Sequence, residues 1–282
     1  MKLKNSIIGG LSKDKKAVSP AISTVILTSA IVVLLLVTIV FANNFLTSRM
    51  TENEFSAMKQ FMQTVGLQID DVAWIPGRTQ TIRYASKFGQ VNFVEDALTF
   101  TIYNGSGGGT WKLLGNYTTG ILLFNMPISS YSVGNNYHER IFPTSGSFLN
   151  KGTSAPTSYV FAVEKLPMYD GDYIRVVVVP CIRVLNATIG GNHYYKFYLP
   201  ILESSGSHPR LSQSVTLAGQ AVQVKTGSGN SVRINVTFPK AAQGFNSEFF
   251  NFEGGSEDFP VPQNSIIEVY AGEVAVSLGL HG

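Results

Sequence analysis

The chain has little charge and almost no cysteine. Only 14% of its 282 residues are Asp, Glu, Lys or Arg, where a soluble domain usually carries about a quarter. Between Lys16 and Arg49 there is no charged side chain, which excludes an ordinary solvated segment there. The single cysteine, Cys181, excludes an intramolecular disulfide. It lies in the apolar run Val176-Val177-Val178-Val179-Pro180-Cys181-Ile182, a setting for a buried strand thiol and not for a nucleophile. The histidines His138, His193, His208 and His281 are scattered, with no His-x₃-His or His-Glu-x-x-His spacing. No Gly-x-Ser-x-Gly elbow is present. The reading is a non-enzyme: no catalytic residues, no cofactor and no metal.

The net charge of +3 belongs to one end. Lys2, Lys4, Lys13, Lys15 and Lys16 stand against Asp14 in the first 17 residues, leaving sixteen basic and seventeen acidic residues in the rest. A chain so balanced has no basic surface for nucleic acid.

What is present is a long apolar run. Ala21 to Ala42 would span roughly 33 Å as a helix, close to the thickness of a bilayer core. Five lysines precede it and only Arg49 follows closely, so the positive-inside rule leaves the N-terminus in the cytoplasm and the bulk of the chain outside. Ser19 suits an N-cap and Pro20 the first helical position. Beyond the run, Phe55, Met58, Phe61, Met62, Val65, Ile69 and Val72 recur every three or four residues, with Glu52, Glu54, Lys59, Gln60, Gln63 and Asp70 between them. That is an amphipathic helical period. It ends at Trp74-Ile75-Pro76-Gly77. One helix from about residue 19 to 73 is predicted, with Asn43-Asn44 as the place for a bend.

From Gln80 the texture becomes β-type: short β-branched and aromatic runs between Gly, Asn, Ser and Pro. The expected strands are Thr81 to Ala85, Gln90 to Phe93, Ala97 to Tyr103, Gly120 to Asn125, Ser158 to Glu164, Tyr173 to Leu185, Tyr194 to Leu199, Ser214 to Val224, Ser231 to Phe238 and Ile266 to Leu278. Val232 to Phe238 alternates with period two, the sign of a half-buried strand. The fold class is therefore α+β, a long N-terminal hydrophobic helix followed by a mostly antiparallel β-sandwich-like head. Residues 143–156, rich in Ser, Gly and Thr, are the candidate boundary if the head is two β-subdomains.

Lys15-Lys16-Ala17-Val18-Ser19-Pro20-Ala21-Ile22, leading straight into the charge-free helix, resembles the N-terminus of archaeal type IV pilin precursors. The resemblance covers residues 13 to about 45. It implies a leader of residues 1–17, cut by a prepilin peptidase between Ala17 and Val18, with Lys15 and Lys16 as the basic pair before the cut. It implies an assembly helix over residues 18–75 that first holds the subunit in the membrane and then packs against like helices. The head, residues 76–282, would be displayed at the archaeal cell surface, in a homo-oligomeric filament or beside other pilin-like subunits. One departure is Ile22, at the fifth mature position, where many bacterial relatives carry Glu. A physical reason supports the scheme: the cut removes the leader's lysines and leaves a helix with no side-chain charge until Arg49, able to move from lipid into an apolar bundle.

Asn-x-Ser/Thr sequons stand at Asn104, Asn116, Asn186 and Asn235, all on the expected outer side. Asn104 and Asn116 flank a Gly-rich turn and read as the accessible pair. The run Asn104-Gly105-Ser106-Gly107-Gly108-Gly109 lacks the closing Lys-Ser/Thr of a phosphate loop and reads as a hairpin loop. Asp170-Gly171-Asp172 and the group Glu253, Glu257 and Asp258 read as solvated turns. A membrane-anchored external module that binds carbohydrate or solute without forming filaments is the alternative, because the head is large for a closely packed repeating subunit.

Overall fold

The structure, a computed structural model, describes residues 20–105, 110–206 and 213–279. They form one long N-terminal helix and a large, mostly antiparallel sheet. The chain divides into two compact units, Met1–Arg49 and Met50–Gly282. Helix α1 runs over Pro20–Ala73 without a break at Asn43-Asn44. It ends where Pro76 cannot donate and Gly77 turns the chain at φ +84°.

Eleven strands follow: β1 (Thr79–Arg83), β2 (Gln90–Gly105), β3 (Trp111–Pro127), β4 (Tyr137–Phe142), β5 (Leu149–Lys151), β6 (Ser158–Glu164), β7 (Tyr173–Pro180), β8 (Ile182–Ile189), β9 (Asn192–Ser204), β10 (Ser214–Thr237) and β11 (Ser256–Leu278). All belong to one hydrogen-bonded sheet, in the order β4-β6-β7-β3-β2-β10-β11-β9-β8-β5, with β1 off this path, paired with the first residues of β10. β9 runs parallel to β11 and β5 parallel to β8, while every other pair is antiparallel. A one-turn helix, α2 (Ser247–Phe250), sits between β10 and β11, capped by Asn246, whose side chain accepts from the Phe249 N–H.

Several strands are longer than expected. Gln90 to Phe93 and Ala97 to Tyr103 fuse into β2 across a register shift at Val94/Leu98, where Asp96 takes φ +48°. Ser214 to Val224 and Ser231 to Phe238 fuse into β10. The expected strand from Tyr173 to Leu185 instead breaks at Cys181 into β7 and β8. Residues 143–156 supply β5 and the core residues Phe148 and Leu149.

The middle strands β3, β6 and β7 are buried on both faces, and alternation along each strand explains how. Val176 and Val178 of β7, Val160 and Ala162 of β6, and Leu122 and Phe124 of β3 share one core with Phe55, Met58, Met62, Val65, Ile69 and Val72 of α1. Val177 and Val179, Tyr159 and Phe161, and Ile121 and Leu123 point the other way, into a second core. β11 serves both: Ile267, Val269 and Ala271 enter the second core, then Val274, Val276 and Leu278 the first. Phe245, Phe249 and Phe250 close the second core, with Phe249 edge-on to Phe161 at 5.8 Å.

Two glycines let the helix end meet backbone. A Cβ on Gly219 would lie 2.6 Å from the Val72 carbonyl oxygen, and one on Gly272 would lie 2.5 Å from that of Ala73. No side chain fits at either point without moving the chain.

Candidate membrane and assembly helix

The candidate functional element is α1 itself. Ile22, Val25, Ile26, Leu27, Ile31, Val32, Val33, Leu34, Leu35 and Leu36 are all exposed, as are Val37, Ile39, Val40 and Phe41. They point around the whole circumference, and none is buried by the rest of the described chain. A helix apolar on every side has no stable place in water. Among the described residues it is the one helix long and apolar enough to cross a membrane.

Thr28, Ser29 and Thr38 turn their hydroxyls back onto the helix. Thr28 Oγ1 donates to the Thr24 carbonyl at 2.9 Å, Ser29 Oγ to Ile26 at 2.9 Å and Thr38 Oγ1 to Leu34 at 2.7 Å. These bonds satisfy polar groups within the helix, which is what an apolar surrounding requires. The first charged residue after the run, Arg49, lies 5.4 Å from the Phe45 ring centre.

From Thr51 on, the same helix changes role. Its apolar stripe is buried, and several of the polar residues between act as clamps. Glu54 accepts from Ser86 Oγ at 2.6 Å and from the N–H groups of Lys87 and Phe88 at 3.0 and 2.9 Å. Lys59 Nζ donates to Glu139 at 3.0 Å. Asp70 accepts from Trp74 Nε1, Thr157 Oγ1 and Arg183 Nη1 at 2.7, 3.0 and 2.7 Å. The helical period located the stripe. Only an acid set beside apolar positions hinted at the clamps.

Lys15, Lys16, Ala17, Val18 and Ser19 lie outside the described residues, and Pro20 begins the described helix. The four sequons are spread apart. Asn104 is 7% exposed and donates through Nδ2 to the Ser228 carbonyl at 2.9 Å, so its expected accessibility is corrected: it is tucked against β10. Asn116 is exposed on β3, with Oδ1 accepting from Thr101 at 3.0 Å. Asn186 is exposed on β8, and its sequon Thr188 pairs with His193. Asn235 is half-buried and accepts from Ser256 at 2.8 Å.

The acidic turns hold structure. Asp170 accepts at 2.6 Å from Arg175, a fully buried arginine that also donates to Asn125 and the Gly171 carbonyl. Burial draws that guanidinium below its usual value, and Asp170 opposes the shift. Glu253 accepts from the Gly146 N–H, Glu257 from Ser147, and Asp258 pairs with Arg233 at 2.6 Å. The described residues contain no group of three or more His, Cys, Asp or Glu able to hold a metal ion. Cys181 is buried beside Asn150 Nδ2 at 3.2 Å, and burial pushes its thiol far up. No family model, no curated protein and no solved structure matches this chain.

Proposed function

We propose that this chain is a type IV pilin-like structural subunit. Its helix holds it in the membrane before assembly, and its β-rich, sandwich-like head is displayed outside the cell for filament formation or adhesion. The observation that carries this reading is the two-part helix. Its first half is apolar all round and uncovered, and its second half is clamped to the sheet. A simple anchor needs only the first part. A helix that must transmit its position to the head needs both, and Lys15-Lys16-Ala17-Val18 before it supplies the point of release by a prepilin peptidase.

N-terminal peptide mass spectrometry on membranes and on sheared surface material tests the reading. The mature chain should begin at Val18 in both fractions. Intact Met1 in both would overturn it. Electron microscopy of the sheared material then separates a filament subunit from an anchored binding module.

A further inference from the structure

The second core borders a hollow of about 240 Å³ between β3, β9, β10 and β11. Its floor is apolar, since Ile201 and Ala271 belong to that core. Its rim carries Gln223, Lys225 and Glu273. Strand phase sets these three on the core side. Gln223 stands opposite Ala271 and Lys225 opposite Val269 in the β10–β11 ladder. Ala271 and Val269 face the core, and residues directly opposite in a ladder share a face. Glu273 follows Ala271 by two residues and points the same way, while Val274 beside it enters the first core on the other face. Three polar side chains thus hold positions whose period calls for apolar ones. A break of that kind in a local rule is expected at functional or strained sites.

Tyr117 gives the hollow an unpaired hydroxyl. A Cβ on Gly115 would lie 2.4 Å from the Tyr117 ring and 2.6 Å from its hydroxyl, so the ring lies over Gly115, which itself lines the hollow. The hydroxyl is buried and has no hydrogen-bond partner among the described residues. A buried hydroxyl left so destabilises a fold unless water or a ligand pairs with it. Burial also raises its pKa, so it stays protonated and able to donate. Solvent reaches the rim, where Gln223 and Lys225 are exposed. Gly115 is about 13 Å of strand from Trp111, where the β2–β3 pairing ends. Asn116 turns the other way: its Oδ1 accepts from Thr101, on the face opposite Tyr117. A glycan at Asn116 therefore leaves the hollow free.

We propose that this hollow binds a single sugar ring, free or at the end of a glycan chain. Its volume equals about eight liquid waters, room for one ring with its hydroxyls. A sugar ring has an apolar C–H face, which the Tyr117 ring, Ile201 and Ala271 match. Its hydroxyls both donate and accept, and the rim asks for both. One hydroxyl donates to Glu273, whose other oxygen takes the Gln223 amide. Another accepts from Lys225, and the Tyr117 hydroxyl pairs with a third. An apolar ligand would leave this rim unpaired. A simple ion of either sign would meet Lys225 and Glu273 together. The site lies within the head, so it serves a filament subunit and an anchored module alike and stands apart from the pilin-like reading.

Saturation-transfer NMR on the full-length protein, held in a phosphocholine detergent that carries no sugar, tests it. The probes are glucose, galactose, mannose and N-acetylglucosamine, each also as its methyl glycoside, with glycine as a zwitterion of small size. At least one sugar should bind in the millimolar range. Binding of its methyl glycoside as well identifies the end of a chain, and binding of the free sugar alone identifies a monosaccharide. Tyr117→Phe should weaken binding about threefold to tenfold, the worth of one hydrogen bond. It should not lower the unfolding midpoint, since the hydroxyl it removes has no protein partner. Glu273→Gln should weaken binding by a similar factor, and Ile189→Lys, exposed on β8, should leave it unchanged. No binding by any of the four sugars, binding of glycine in their place, or affinity unmoved by both Tyr117→Phe and Glu273→Gln would each overturn the proposal. Cleavage at Ala17 is read separately, so failure here leaves the pilin-like reading standing.

Discussion

Arg183 donates through Nη1 to Asp70 Oδ2 at 2.7 Å, which ties β8 to the last turns of α1. The same carboxylate holds Trp74 and Thr157, so one acid joins the helix end to three places. Asp70→Ala leaves the three donors without that acceptor. The expected loss is roughly 2 to 3 kcal/mol, below the full cost of a broken buried pair because Asp70 is partly exposed. Chemical unfolding in detergent measures it. An unchanged midpoint would mean that water replaces the carboxylate at no cost.

Gly272 meets the Ala73 carbonyl, and a methyl there would clash. Gly272→Ala should therefore cost about 1 to 3 kcal/mol by overpacking. Gly254→Ala is the control, since the nearest non-adjacent atom would lie 3.5 Å from its new methyl. Equal stability of the two variants would contradict the close approach.

Acid should weaken the head through β4. Burial, helped by Arg140, lowers His138 from 6.5 to about 4, and its ring stacks on Phe161 at 4.9 Å. The unfolded chain then binds this proton more readily than the folded one. Stability is full above pH 6.5 and falls as pH drops towards 4. The loss is about 2 kcal/mol, after allowance for the solvent that reaches a half-buried ring. Glu139 adds a later loss. Burial raises its carboxyl, but the Tyr137 hydroxyl and Lys59 outweigh that and hold it below its ordinary value. His138→Phe should flatten unfolding curves between pH 6.5 and 4 and leave the fall below that range. An unaltered profile would show that His138 does not set it.

The helix was legible because its two periods are local. Phe55, Met58 and Met62 announce a buried stripe by spacing alone, and the stripe is buried. Ser158 to Glu164 was bounded correctly by residue type. The joins within β2 and β10 were not, because Asp96 and Gly229 read as breaks but bend a strand that continues. Pairing was hidden as well. Nothing local to Tyr194 to Leu199 states that β9 runs parallel to Ile266 to Val276 of β11. Asn104 looked accessible because it precedes a run of glycines. Its burial follows from Ser228, 124 residues away.

That contrast gives a prediction for the sequons. Asn104→Gln should change the mass of the mature protein by the added methylene alone and lower its stability, because the longer amide misses the Ser228 carbonyl. Asn116→Gln or Asn186→Gln should remove one glycan mass each with little change in stability. Intact-mass measurement decides. A glycan lost with Asn104→Gln would mean that modification precedes folding of β10.

A charge in the apolar run separates anchoring from assembly. One lysine at a helix centre costs about 2.5 to 3.5 kcal/mol for membrane insertion. A run of this length tolerates that cost, because a long lysine stem can snorkel toward the membrane surface. In the proposed bundle of like helices the same lysine would have neither water nor a carboxylate, since the run carries no acid. Leu35→Lys should therefore stay in the membrane fraction and be cut at Ala17, yet fall at least about tenfold in sheared filaments, the ratio that 1.4 kcal/mol already produces. Ile189→Lys, exposed at the β8–β9 turn, should assemble normally. Quantitative immunoblots of the two fractions give the comparison. Equal amounts of both variants in filaments would remove the helix from the assembly contact and leave it as an anchor alone.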